Sequence, residues 1–241
     1  LINSGEGTTA APYRVDQRPT DFTTLYQGGS SAASASIDSS NTGFIMVSDS
    51  GDDYMLGRET IYWRWQQVVV SVAAGKDRNF AIDDRGRLYA WGSNQGRFGD
   101  GTTTNSGTPR QVQHPESSTW KSIVSGNNFS LAIDEHDKLY AWGDGEYGKL
   151  GIGNNSNHSS PQLVSHPTGS TWETVTLGTN HAVAIDDDGR LYAWGFGTSG
   201  NIGNNTASHV DTPQLVAHPD GAAWKSAAAG SYATSAVDEH G

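Results

Sequence analysis

The run Leu-Tyr-Ala-Trp-Gly occurs three times in this chain of 241 residues, and its tryptophans fall at Trp91, Trp142 and Trp194. The steps between them are 51 and 52 residues. Three further markers keep the same period. Glycines stand at Gly75, Gly126, Gly178 and Gly230, a second tryptophan series at Trp120, Trp172 and Trp224, and a His-Pro pair at His114, His166 and His218. Four markers on one period commit the chain to an array of like units, each too small to bury its own apolar face.

Each unit reads as an antiparallel sheet. Phe129-Ser130-Leu131-Ala132-Ile133-Asp134 alternates large and small residues at period two, as a strand does. Leu139–Trp142 is a second β-type run, and Glu135-His136-Asp137 between them, Asp187-Asp188-Gly189 in the next copy, supplies a hairpin turn. Small Ala beside large Trp in one strand fits a sheet covered on both faces. Sheets recurring at this interval are blades of a β-propeller. The expectation is all-β: four-stranded blades of about 51–52 residues, four to five of them within 1–241.

The period divides the chain unevenly. Residues 75–241 carry the regular repeats, and 1–74 carry degenerate ones. There Phe22 and Gly28 hold the Trp120 and Gly126 positions, and Phe44-Ile45-Met46-Val47-Ser48 replaces Leu-Tyr-Ala-Trp. Gly57 to Gly75 falls nine residues short of the spacing from Gly99 to Gly126, so a shortened outer edge is expected at that blade. Gly241 stops inside a repeat, and the chain reads as a single, partial propeller.

At Gly126–Val164 the pattern Gly-x-x-x-x-x-Leu-Ala-Ile-Asp, Leu-Tyr-Ala-Trp-Gly, Gly-x-Leu-Gly-x-Gly and Pro-x-x-Val resembles the regulator-of-chromosome-condensation repeat. The resemblance is clear from Gly75 onward and weaker before it. It implies a complete propeller of six or seven four-stranded blades. It also implies one candidate activity, guanine-nucleotide exchange on a small GTPase, which in the founding member uses a wedge inserted in a blade. The constant spacing from Gly99 to Gly230 leaves no room for such a wedge. The Gly-Trp-Arg-His-Thr motifs of the plant ultraviolet-B receptors of this family are missing too. The bacterial and viral members are mostly secreted, surface or virion proteins, and this composition is similar to theirs.

Charge narrows the partners. Fifteen Lys and Arg against 26 Asp and Glu give a net charge of −11, with no basic run to neutralise phosphates, so nucleic acid is excluded as an expected partner. No apolar stretch is long enough to span a membrane as a helix. There is no cysteine, hence no thiolate site. Asp186-Asp187-Asp188-Gly189 lacks the ligand alternation of a calcium loop, and the histidines lack zinc-ligand spacing, so no metal or cofactor is expected. No nucleophile elbow or phosphate-binding Gly-Lys-Ser/Thr loop occurs, and the chain is read as not an enzyme.

The repeat-locked Trp91, Trp142, Trp194, Trp120, Trp172 and Trp224 are read as structural packing. Tyr62, Trp63 and Trp65 fall outside the register, with both tryptophans on one strand face, and are the candidate partner-binding residues. Four Asn-x-Ser/Thr sequons begin at Asn128, Asn154, Asn157 and Asn204. Such sites accept glycans in a secreted eukaryotic protein, and chance also produces them in a chain so rich in Ser, Thr and Asn. The expected function is a non-catalytic scaffold or binding module of an extracellular, cell-surface or virion protein. It would present loops to a protein or glycan partner or to neighbouring subunits of an assembly. A guanine-nucleotide exchange factor is the alternative.

Overall fold

The computed structural model describes residues 69–240 in full and the backbone of residues 34–37, 45–49 and 52–54. Two compact units divide the chain, Leu1–Gln67 and Val68–Gly241. In the first, β1 (Ser34–Ile37), β2 (Ile45–Asp49) and β3 (Asp52–Tyr54) pair in order as an antiparallel meander. Ile37 stands opposite Ile45, and Val47 opposite Tyr54. β2 takes the place of the Phe44–Ser48 run that replaces Leu-Tyr-Ala-Trp in the degenerate copy.

The second unit repeats one motif. Strands β4 (Val69–Ala74), β5 (Arg78–Asp83), β6 (Leu88–Gly92) and β7 (Ser106–Val112) form the first four-stranded antiparallel sheet. β8 (Trp120–Ser125), β9 (Phe129–Asp134), β10 (Leu139–Gly143) and β11 (His158–Val164) form the second. β12 (Trp172–Leu177), β13 (His181–Asp186), β14 (Leu191–Gly195) and β15 (Val210–Val216) form the third. β16 (Trp224–Ala229) and β17 (Thr234–Asp238) are a hydrogen-bonded pair that repeats the first half of the motif. Because β4 is hydrogen-bonded to β5, the first regular sheet begins at Val69, upstream of Gly75.

The alternation within each strand decides what touches what. Tyr140 and Trp142 of β10 face back to the first sheet, where they pack with Phe80, Ile82, Leu88, Phe98 and Val112. Leu139 and Ala141 face forward onto Trp172, Tyr192 and Trp194 of the third. Every interior sheet therefore lends one face to each neighbour, and alanine beside tryptophan is the signature of that division. The third-strand tryptophans reach furthest. Trp142 Nε1 donates to the Arg97 carbonyl at 3.1 Å, and Trp194 Nε1 to that of Lys149 at 3.1 Å, both in the loop of the preceding sheet. A glycine must accept each indole. A Cβ at Gly151, whose φ is +73°, would lie 2.6 Å from Trp194 Nε1.

Four of the six repeat tryptophans, Trp120, Trp142, Trp172 and Trp194, are buried. Trp91 and Trp224 are only half-buried. They sit in the first and last described sheets of this unit, where one face has no described neighbour. The repeat sets the position of each indole, and a neighbouring sheet is needed to cover it.

Candidate functional site

The antiparallel order gives the second unit two unlike ends. At one lie the Asp-containing hairpins and the His-Pro connections. At the other lie the β4–β5, β8–β9, β12–β13 and β16–β17 turns and the long loops after β6, β10 and β14.

The hairpin end is architectural. Asp134 ends β9, and its Oδ1 accepts the amides of His136 and Lys138 at 2.9 Å each. Asp83 and Asp186 hold their turns in the same way. The other oxygen meets the histidine delivered by the preceding sheet. His114 Nε2 lies 3.2 Å from Asp134 Oδ2, His166 3.3 Å from Asp186, and His218 3.0 Å from Asp238. The amides of Glu116, Thr168 and Asp220 donate to the three Nδ1 atoms, which leaves each proton on Nε2, toward the carboxylate. The rings also pack on Trp120, Trp172 and Trp224 at 4.3–4.5 Å between centroids. The sequence holds the signal for this tie: every histidine precedes its aspartate by 20 residues. Asp186, Asp187 and Asp188 present oxygens within 4.8 Å of one another. All three are engaged in the turn: Asp187 by the Thr171 amide, Asp188 by Ser170 and Arg190.

The long-loop end is irregular, and there the copies differ. Arg78, Phe129, His181 and Ala233 take equivalent places at the start of successive strands. Arg78 is buried and donates to the carbonyls of Gly126 and Asn127 at 2.9 Å. Burial pushes its guanidinium down to about 10, since desolvation disfavours the charged form. Lys149, buried beneath the loop after β10, donates to Asp144 Oδ2 at 2.7 Å and to Asn180 Oδ1 at 3.4 Å. It pins the turn that carries Tyr147.

Four aromatic residues meet above that turn. Tyr147 comes from the loop of the second sheet, Phe196 and His209 from that of the third, and Tyr232 from the β16–β17 turn. Ring centroids are 5.3 Å apart for Tyr147–Phe196, 4.8 Å for Tyr147–His209, 4.9 Å for Phe196–His209 and 6.0 Å for Phe196–Tyr232. His209 and Tyr232 are exposed, and Tyr147 and Phe196 half-buried. None of the four obeys the repeat. Their equivalents are Ser199 and Gln95 for Tyr147, Asp144 and Ser93 for Phe196, Asn157 and Asn105 for His209, and Asn180, Asn128 and Asp77 for Tyr232. The local backbone is nonetheless conventional. His209 Nδ1 caps the Gly197 amide at 3.2 Å, as Asn157 caps Gly145 and Asn105 caps Asn94 at 2.9 Å. The fold thus asks for a hydrogen-bond acceptor at position 209, and the aromatic ring is additional. All four sequons open on this same end of the unit.

Models of the Regulator of chromosome condensation (RCC1) repeat match residues 85–133, 136–185 and 188–237. The chain belongs to the RCC1-repeat family. E3 ubiquitin-protein ligase HERC2 of Homo sapiens is 33% identical to it over 174 residues, 71% of this chain and 4% of that protein. Ultraviolet-B receptor UVR8 of Arabidopsis thaliana is 30% identical over 175 residues, 72% of this chain and 40% of that one. Among solved structures, Prp20p from Saccharomyces cerevisiae superposes with a TM-score of 0.61 at 22% identity, over 70% of this chain and 44% of that one. Yeast RCC1 (Prp20), solved with Kap60, does so at 0.61 and 25%, over 73% and 43%. The RCC1-repeat chain spans under half the length of these relatives, and its blade-like sheets are those of a β-propeller.

Tyr62, Trp63 and Trp65 lie outside the described residues. The four residues of the aromatic corner lie in segments that otherwise keep the register, and they are single substitutions far apart in sequence. Subtracting the aligned copies is the step that would have found them.

Proposed function

We propose that this RCC1-repeat propeller is a non-catalytic binding module and that its long-loop end docks a partner protein. One observation carries the reading: four residues that depart from the repeat, contributed by three successive sheets, converge on one cluster. Departures imposed by folding would be spread along the array, whereas a docking surface gathers them. The titratable groups elsewhere support the same reading, since Asp83, Asp134, Asp186, Arg78 and Lys149 spend their polar atoms on turns and sheet junctions. Prp20p has been described with its binding to Gsp1p and histones, and yeast RCC1 as bound by Kap60; protein partners for this chain are in keeping with both. The extracellular, cell-surface or virion setting rests on composition, as does a glycan or a neighbouring subunit as partner.

The test uses the residues that other copies already carry. Affinity capture from an extract of the source is run with the parent chain and with the quadruple variant Tyr147→Ser, Phe196→Ser, His209→Asn, Tyr232→Asn. A protein held by the parent and lost with the variant is expected. Identical captured sets would remove the long-loop end as the docking surface.

A further inference from the structure

The rings of the aromatic corner do not form a level platform. Tyr147 meets Phe196 at 80° and Phe196 meets Tyr232 at 63°. Rings set edge to face give a sugar no broad level platform spanning two rings, whereas a small cation needs the face of a single ring.

The charges around the corner agree with the ring geometry. Glu146 precedes Tyr147, and Asp211 packs its backbone against Gly148, where a Cβ would lie 2.5 Å from the Asp211 Cα. Both carboxylates are exposed, and neither makes an ion pair among the described residues. Their equivalents are neutral: Thr198 for Glu146, and Ser159 and Gly107 for Asp211. Asp144 is already taken by Lys149. A hydrogen bond with the Glu146 carboxylate, and then the charges of Glu146 and Asp144, hold the Tyr147 phenol above its usual range. A second copy of the chain is a poor occupant, because its net charge of −11 would be repelled.

Resting on the docking reading above, we infer that this corner receives an arginine or lysine side chain from an exposed segment of a partner protein. The cation sits against the Tyr147, Phe196 and Tyr232 rings and pairs with Glu146 or Asp211. Arginine fits better, because its planar guanidinium both stacks on rings and forks onto a carboxylate.

The experiment is a titration of the isotopically labelled full chain, followed by amide NMR. The probes are a short Gly/Ser peptide bearing two arginines, the same peptide with glutamines in their place, and a chitin oligosaccharide. The arginine peptide is expected to give saturable shifts around residues 147, 196, 209 and 232. Affinity should fall about tenfold with the glutamine peptide. It should fall similarly with the quadruple variant and with Glu146→Gln/Asp211→Asn, each keeping the parent's dispersed amide spectrum away from the corner. Equal binding of the two peptides, arginine binding kept by the variants, saturation by the sugar alone, or no response to any probe would overturn the inference. If extract capture still separates parent from variant while arginine does not bind, the cation reading falls alone. Failure of both experiments removes the docking reading with it.

Discussion

Tyr147 stands in the left-handed region at φ +65°, where a bulky side chain is uncommon and costs on the order of 1–3 kcal/mol. Gln95 holds the same slot in the first sheet with φ +49°. Asparagine tolerates this conformation, so Tyr147→Asn removes strain while losing the contacts with Phe196 and His209, worth about 0.5–1.5 kcal/mol per aromatic pair. The two changes oppose, and a urea midpoint equivalent to within about 1 kcal/mol of the parent is expected, together with loss of docking. A drop beyond about 2 kcal/mol would make Tyr147 a packing residue first. The tryptophans give the opposite case. Trp142 is fully buried, and Trp142→Ala should cost roughly 3–5 kcal/mol. Trp91 is half-covered, and Trp91→Ala should cost less than half as much. Equal losses would show that the Trp91 indole is covered as completely as that of Trp142.

Between neighbouring sheets the unit of organisation is a junction fastened at both ends. The indole of one sheet reaches back into the previous loop, and the histidine of the previous sheet reaches forward to the Asp hairpin. Burial lowers the pKa of His114 against the raising pull of Asp134 and Glu116, with Lys138 also facing the ring and adding to the fall. His166 is lowered likewise, with Asp186, Asp187 and Arg190 around it. The unfolded chain then takes up protons near the ordinary histidine value of about 6.5, before the folded chain does. Stability is therefore complete above that pH and declines as pH falls through it. A urea midpoint that falls between about pH 7 and pH 5.5 is expected, with a flatter profile in His114→Gln/His166→Gln; parallel profiles would defeat the assignment. The strands and hairpins of these sheets were legible because alternation and turn chemistry are local. The tie was not: a histidine and an aspartate in different sheets become a pair only when the register brings them face to face. His114, His166 and His218 looked like connection markers, and the fixed interval to Asp134, Asp186 and Asp238 was the part of the signal left unused. The corner was hidden for a different reason, since nothing in Phe196 or Tyr232 taken singly distinguishes a surface aromatic from a core one.

Within the second unit, the Asp hairpins and their histidine ties lie at one end of the sheets, and the proposed docking corner lies at the other. With a net charge of −11, phosphate neutralisation cannot drive binding, so no measurable DNA affinity is expected at physiological salt, by fluorescence anisotropy with a labelled duplex. The even spacing of the regular repeats argues in the same direction for nucleotide exchange. In stopped-flow release of labelled GDP from a Ran-type GTPase, a flat trace is expected with this chain in excess, and a rise of about tenfold or more would favour the exchange factor instead. The backward reach of Trp142 to Arg97 and of Trp194 to Lys149 also gives the array a direction. During synthesis, the loop that accepts each indole leaves the ribosome about 45 residues ahead of it. A newly made sheet thus lands on a surface already finished, while its own histidine waits for a successor. Growth from the N-terminal side adds blades to a completed template, and the exposed end of the growing chain is always the half-fastened one.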